Sequence, residues 1–83
     1  MINVVSLTMD FSKVRPGMKA RVLSIHSDSA DMKRLQEMGL TPGTEFTVVK
    51  VAPFGDPVEI RLRGYRLCLR KRETQGVTIE ALE

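Results

Sequence analysis

One stretch, Asp28 to Gly43 (DSADMKRLQEMGLTPG), decides what kind of fold this chain can adopt. It is the only segment with a helical repeat of apolar residues, and strand-like sequence lies on both sides of it. Asp28 suits an N-cap, because a carboxylate there accepts the unpaired amide protons of the first turn. Asp31 adds negative charge near the positive end of the helix dipole. Met32, Leu35 and Met38 then recur at every third residue as a narrow apolar stripe, with Lys33, Arg34, Gln36 and Glu37 toward water. Gly39 stands where a left-handed C′ residue is wanted, and Leu40 at C″ can pack back on Leu35. Pro42-Gly43 suits the centre of a type II turn. The spacing therefore predicts one short α-helix over about 28–38 with a Schellman ending.

The rest of the chain alternates as strands do. Phe11 and Val14 are expected on the core before Arg15-Pro16-Gly17 turns the chain. Lys19 to His26 and Glu45 to Ala52 read as strands on either side of the helix, the second with Phe46 and Val48 on one face. Pro53 to Pro57 is a loop, since proline cannot donate to a ladder. Val58 to Lys71 reads as a hairpin about a two-residue Gly64-Tyr65 turn. That register pairs Leu62 with Leu67 and Ile60 with Leu69 on one face. It sends Glu59, Arg61, Arg63, Arg66, Cys68 and Arg70 to the other, with Arg63 opposite Arg66. Val77 to Leu82 is a last strand, and residues 1–10 are either a further short strand or a loose extension. The sequence thus predicts a mainly β fold: a small SH3-like barrel of about five antiparallel strands with one inserted helix.

Composition narrows the function. The chain has 83 residues, enough for a single small domain over 1–83. Its formal charge of +3 permits an acidic partner without arguing for nucleic acid. One cysteine, Cys68, leaves no intrachain disulfide and no cysteine-based zinc cluster, and suits a reducing cytoplasm. His26 is the single histidine, so a histidine metal cluster is ruled out, and the sequence identifies no nucleophile for it to serve. Gly39, Gly43 and Gly64 are turn glycines and form no phosphate loop. The apolar start lacks the basic region and length of a signal peptide and is too short to cross a bilayer. No catalytic residue, cofactor or metal site is expected, and the protein is expected to be cytoplasmic.

VRPG (14–17), RLQEMGLTPG (34–43) and VAPFGDPVEIRLRGYRLCLRK (51–71) together resemble the FeoA family, small cytoplasmic proteins of bacterial ferrous iron transport. The resemblance runs from Phe11 to Leu82. It implies an SH3-like barrel with an inserted helix. It also implies an accessory role: binding the cytosolic part of FeoB, a membrane ferrous iron permease with a GTP-binding domain, and supporting its activity. Contact with the membrane is then expected only through this partner. The candidate partner-binding residues are Leu35, Met38, Gly39 and Leu40 around the helix end, with Arg61, Arg63 and Arg66 on the hairpin. Met32 and Met38 are open to two readings, as core or as an adaptable contact. The arginine face is likewise either a solvated surface or a match for an anionic partner. The alternative function is a small basic nucleic-acid-binding barrel using Arg61, Arg63, Arg66, Arg70 and Arg72 on phosphates. An open strand edge also makes a homo-oligomer conceivable.

Overall fold

The computed structural model describes residues 7–82. Six antiparallel strands form one sheet in the order β1-β6-β2-β3-β4-β5. They are β1 (Leu7–Asp10), β2 (Lys19–Ile25), β3 (Glu45–Val51), β4 (Val58–Leu62), β5 (Tyr65–Leu69) and β6 (Val77–Leu82), with α1 (Ala30–Glu37) between β2 and β3. The count exceeds the expected five because Leu7–Asp10 pairs with β6, Thr8 facing Glu80 and Met9 facing Ile79. Of the 1–10 segment, which sequence left as strand or extension, the first six residues lie outside the described ones.

Alternation puts one face of each strand inside. Ala20, Val22, Val48, Ile60, Leu62, Val77 and Ile79 are all fully buried, and Phe11 joins them against Phe46 at 5.5 Å between ring centres. Bulges at Val22/Ser24 between β2 and β6, and at Val48/Lys50 between β3 and β4, bend the sheet over this core. Asp10 starts a short 3-10 turn by accepting a hydrogen bond from the Ser12 amide at 3.0 Å. Bonding from the Ser12 side chain, then from its amide, holds the Asp10 carboxyl below its ordinary value.

The helix follows its sequence closely at one end and departs by a residue at the other. Ser29, not Asp28, is the N-cap, and its hydroxyl accepts from the Met32 amide at 3.1 Å. With Ser29 at the cap, Met32 falls at the third helical position, and its side chain is fully buried. At the other end Leu40 N–H donates to Leu35 at 3.0 Å and Gly39 N–H to Gln36 at 3.0 Å, the paired bonds of a Schellman ending.

The hairpin turn also differs from the expectation. Its two central residues are Arg63 and Gly64, at φ 50° and 87°, the double left-handed signature of a type I′ turn. Leu62 therefore faces Tyr65, Ile60 faces Leu67 and Val58 faces Leu69. The slip amounts to two residues, which preserves the face of every side chain but changes its neighbour. Arg61, rather than Arg63, now stands opposite Arg66.

Gly76, at φ +88°, closes the β6 side of the fold, where its carbonyl accepts from His26 N–H at 2.8 Å. A Cβ there would sit 2.7 Å from the His26 carbonyl oxygen, whereas a Cβ on Gly17, also at positive φ, would meet open space. Gly76→Ala is expected to lower unfolding free energy by at least about 2 kcal/mol and Gly17→Ala by about 1. Urea denaturation of both variants checks this, and equal losses would refute the packing argument.

Candidate functional site

The helix end and the hairpin turn meet, and this junction carries two of the four exposed large hydrophobic side chains among the described residues, Phe54 and Leu23 lying elsewhere. A Cβ built on Gly39 would lie 3.3 Å from Leu62 Cδ2 and 3.7 Å from Arg63 Cδ and Nε. Gly39 is thus needed twice, for its φ of +112° and for the close approach of the turn. The Tyr65 hydroxyl donates to the Met38 carbonyl, one of the helix-end acceptors that the helix itself leaves unpaired. Met38 at 37% and Tyr65 at 43% exposure form a small apolar rim here.

This geometry sorts the residues singled out from sequence. Leu35 at 5% and Leu40 at 0% exposure are core, so their side chains hold the helix down instead of facing outward. Met32 belongs to the same core, while Met38 stays at the surface, which divides the two methionines between the two readings. Arg61, Arg63 and Arg66 are exposed. Cys68 is exposed on the same outer face, and His26 is exposed on the far side of the Gly76 contact.

Charge on the sheet's outer face is arranged in rows, because directly opposite residues point the same way. One row crosses four strands as Lys19, Thr47, Arg61 and Arg66. Beside it, Arg21 is clamped between Glu45 at 3.1 Å and Glu80 at 3.3 Å. On the other side Glu59 takes Arg66 at 3.2 Å. Glu59 thereby relieves the repulsion between Arg61 and Arg66, as the solvated reading of this face expects. Lys19, Arg61 and Arg63 enter no ion pair among the described residues. With Glu45, Thr47 and Leu82 they line a shallow groove of about 250 Å³.

Lys19 and Tyr65 were missed in the sequence. Lys19 had no partner in view until β2 was paired with β3, and Tyr65 was hidden by its assignment to the turn. An Arg-Gly pair is a weak type I′ signal, since asparagine or aspartate normally precedes the glycine. No group of three or more His, Cys, Asp or Glu residues that could hold a metal occurs among the described residues.

Comparison with known proteins agrees with this architecture. A family model described as FeoA domain matches residues 9–81. A Porphyromonas gingivalis fusion of Fe(2+) transport protein A with Fe(2+) transporter FeoB is 31% identical over 74 residues, which are 89% of this chain and 9% of that relative. The chain therefore spans a small part of its relative's length. Among solved structures, a FeoA-like protein from Clostridium acetobutylicum is 36% identical, with a TM-score of 0.80 over 92% of this chain and 88% of that one. FeoA from Stenotrophomonas maltophilia, solved with zinc, is 30% identical, with a TM-score of 0.70 over 83% of this chain and 86% of that one. That protein is described as a prokaryotic SH3 domain protein and a candidate activating factor of ferrous iron transport.

The junction makes its own prediction. Tyr65→Phe removes the bond to Met38 without removing the ring, and should cost about 0.5–1.5 kcal/mol of stability. Amide exchange should quicken at Gly39 and Leu40 before the rest of the helix. Unchanged exchange at those amides would mean that the hydroxyl does not hold the helix end.

Proposed function

Since this chain belongs to the FeoA domain family, we propose that it is a non-enzymatic accessory protein of ferrous iron uptake that docks on the cytosolic part of a FeoB permease. The observation that carries this reading is the fusion relative, in which a domain matching 89% of this chain is joined in one polypeptide to the transporter. Two functions made as one chain work at one place, so a separate domain of the same kind needs a surface to find its partner. The activating role described for the Stenotrophomonas protein supports an accessory function over catalysis.

A cytoplasmic location follows from such a partner, and no helix among the described residues is long and apolar enough to cross a membrane. The surface that suits docking is the junction of helix and hairpin. Its apolar centre is Met38 with Tyr65, and its polar flank is Arg61, Arg63 and Arg66. A small apolar centre with a charged rim is the usual anatomy of a protein contact. Gly39 and Leu40 serve it by fixing the helix end from beneath.

Capture of the cytosolic domains and of detergent-solubilised FeoB from the same organism tests the proposal, with Met38→Glu and Arg63→Glu variants checked for folding by circular dichroism. The native protein should bind at tens of micromolar or better, and a folded variant should bind about tenfold more weakly, equivalent to ~1.4 kcal/mol. No capture of either form of FeoB would reject the adaptor reading and favour the nucleic-acid alternative.

A further inference from the structure

The groove beside the junction has a chemistry that the adaptor reading leaves unspecified. It is lined by Lys19, Arg61 and Arg63 with Thr47 and Leu82, and by Glu45, whose carboxylate is already engaged by Arg21 at 3.1 Å. We propose that this groove receives a short acidic segment of the protein partner, its carboxylates meeting Arg61 and Arg63 and an apolar side chain settling between them. The proposal rests on the adaptor reading and names the kind of segment that the docking surface takes.

Three observations select that occupant. The first is charge left over: every other arginine of this sheet face within the same rows is matched, Arg21 by Glu45 and Glu80, and Arg66 by Glu59. Arg61 and Arg63 are unmatched among the described residues, so an incoming anion does not have to displace an existing pair. The second is extent. Glu45, engaged by Arg21, lines the groove itself, Glu80 also takes Arg21, and Glu59, engaged by Arg66 and facing Lys50, lies in the next row, so the groove offers three unmatched cations among its lining residues. A nucleic acid needs a longer basic track than this. A peptide with two or three acidic residues does not. The third is the apolar lining: half-buried Leu82 offers contact to an aliphatic side chain and none suited to a phosphodiester, while Phe46 is turned into the core. The groove's volume of about 250 Å³ matches a few side chains.

Position adds a reason why the segment matters. Arg63 is held at φ 50° in the turn, and its side chain lies against Gly39. Arg63 thus reaches both the groove and the helix end at Gly39, next to Met38.

The test is fluorescence anisotropy with the full chain and a labelled octapeptide that alternates glutamate with valine. A glutamine-for-glutamate control and a labelled single-stranded oligonucleotide are run beside it. The acidic peptide should bind at least about tenfold better than its glutamine control. Arg61→Glu and Arg63→Glu should each weaken it about fivefold or more, while Arg70→Glu, outside the groove, should change it by less than about twofold. Raising salt from about 50 to about 500 mM should weaken it severalfold. Equal binding of the glutamine peptide, indifference to Arg61→Glu and Arg63→Glu, or tighter binding of the oligonucleotide through the same arginines would overturn the proposal. So would sedimentation showing that these arginines instead hold two copies of the chain together. FeoB captured undiminished by Arg61→Glu rejects this inference and leaves the adaptor reading standing. A positive peptide result without FeoB capture rejects the adaptor reading and leaves the groove's acidic preference standing.

Discussion

The chain has a single apolar face to bury and few residues to bury it with, and most of its structure answers that constraint. A flat antiparallel sheet of this size would leave its inner face wet. Two bulges and the twist of short strands curl it instead, so that β1 to β6 enclose Phe11, Val22, Val48, Ile60 and Ile79 from several directions. The helix supplies what the curl leaves open. Met32, Leu35 and Leu40 enter the same core, and the amphipathic stripe is narrow because little gap remains to be filled.

That dependence explains why the helix end was legible in sequence and the hairpin register was not. Gly39, Leu40, Pro42 and Gly43 each permit few conformations in that order, so local chemistry fixed the ending almost without reference to the rest. The start lies one residue later than Asp28 because Ser29 is an equally competent cap and its hydroxyl reaches the Met32 amide. In the hairpin, alternation has a period of two and cannot tell a register from its neighbour two residues away. Both keep Ile60, Leu62, Leu67 and Leu69 inside. What settles the matter is the turn: with Arg63 and Gly64 left-handed, the twist of the loop matches that of the strands, and Tyr65 comes within reach of Met38.

The candidate site inherits the same division. The helix-end segment singled out from sequence meets the hairpin turn, but its most apolar members, Leu35 and Leu40, are spent on the core. Apolar character alone cannot separate a residue that builds a surface from one that presents it. The arginines were found as a face because alternation sets faces. Their neighbours were not, because neighbours depend on register: Arg61 meets Arg66, and Lys19 enters the same row only through Thr47. Lys19 carries no signal of its own in the sequence.

Exposed ion pairs contribute little stability, commonly below about 1 kcal/mol each, so the glutamates around this face are poorly explained as folding devices. Their position has a stronger consequence for recognition. Glu45, Glu80 and Glu59 quench the arginines on either side and leave a bounded positive patch rather than a basic surface. Such an arrangement discriminates by repulsion as well as attraction, since an anion that runs past the patch toward Arg21 meets the Glu45 and Glu80 carboxylates. A chain with a formal charge of only +3 can in this way be selective for an acidic partner without being a general binder of polyanions. The apolar rim of Met38 and Tyr65 then fixes where along that partner the contact is made, because burying it requires a matching side chain at one distance from the charges.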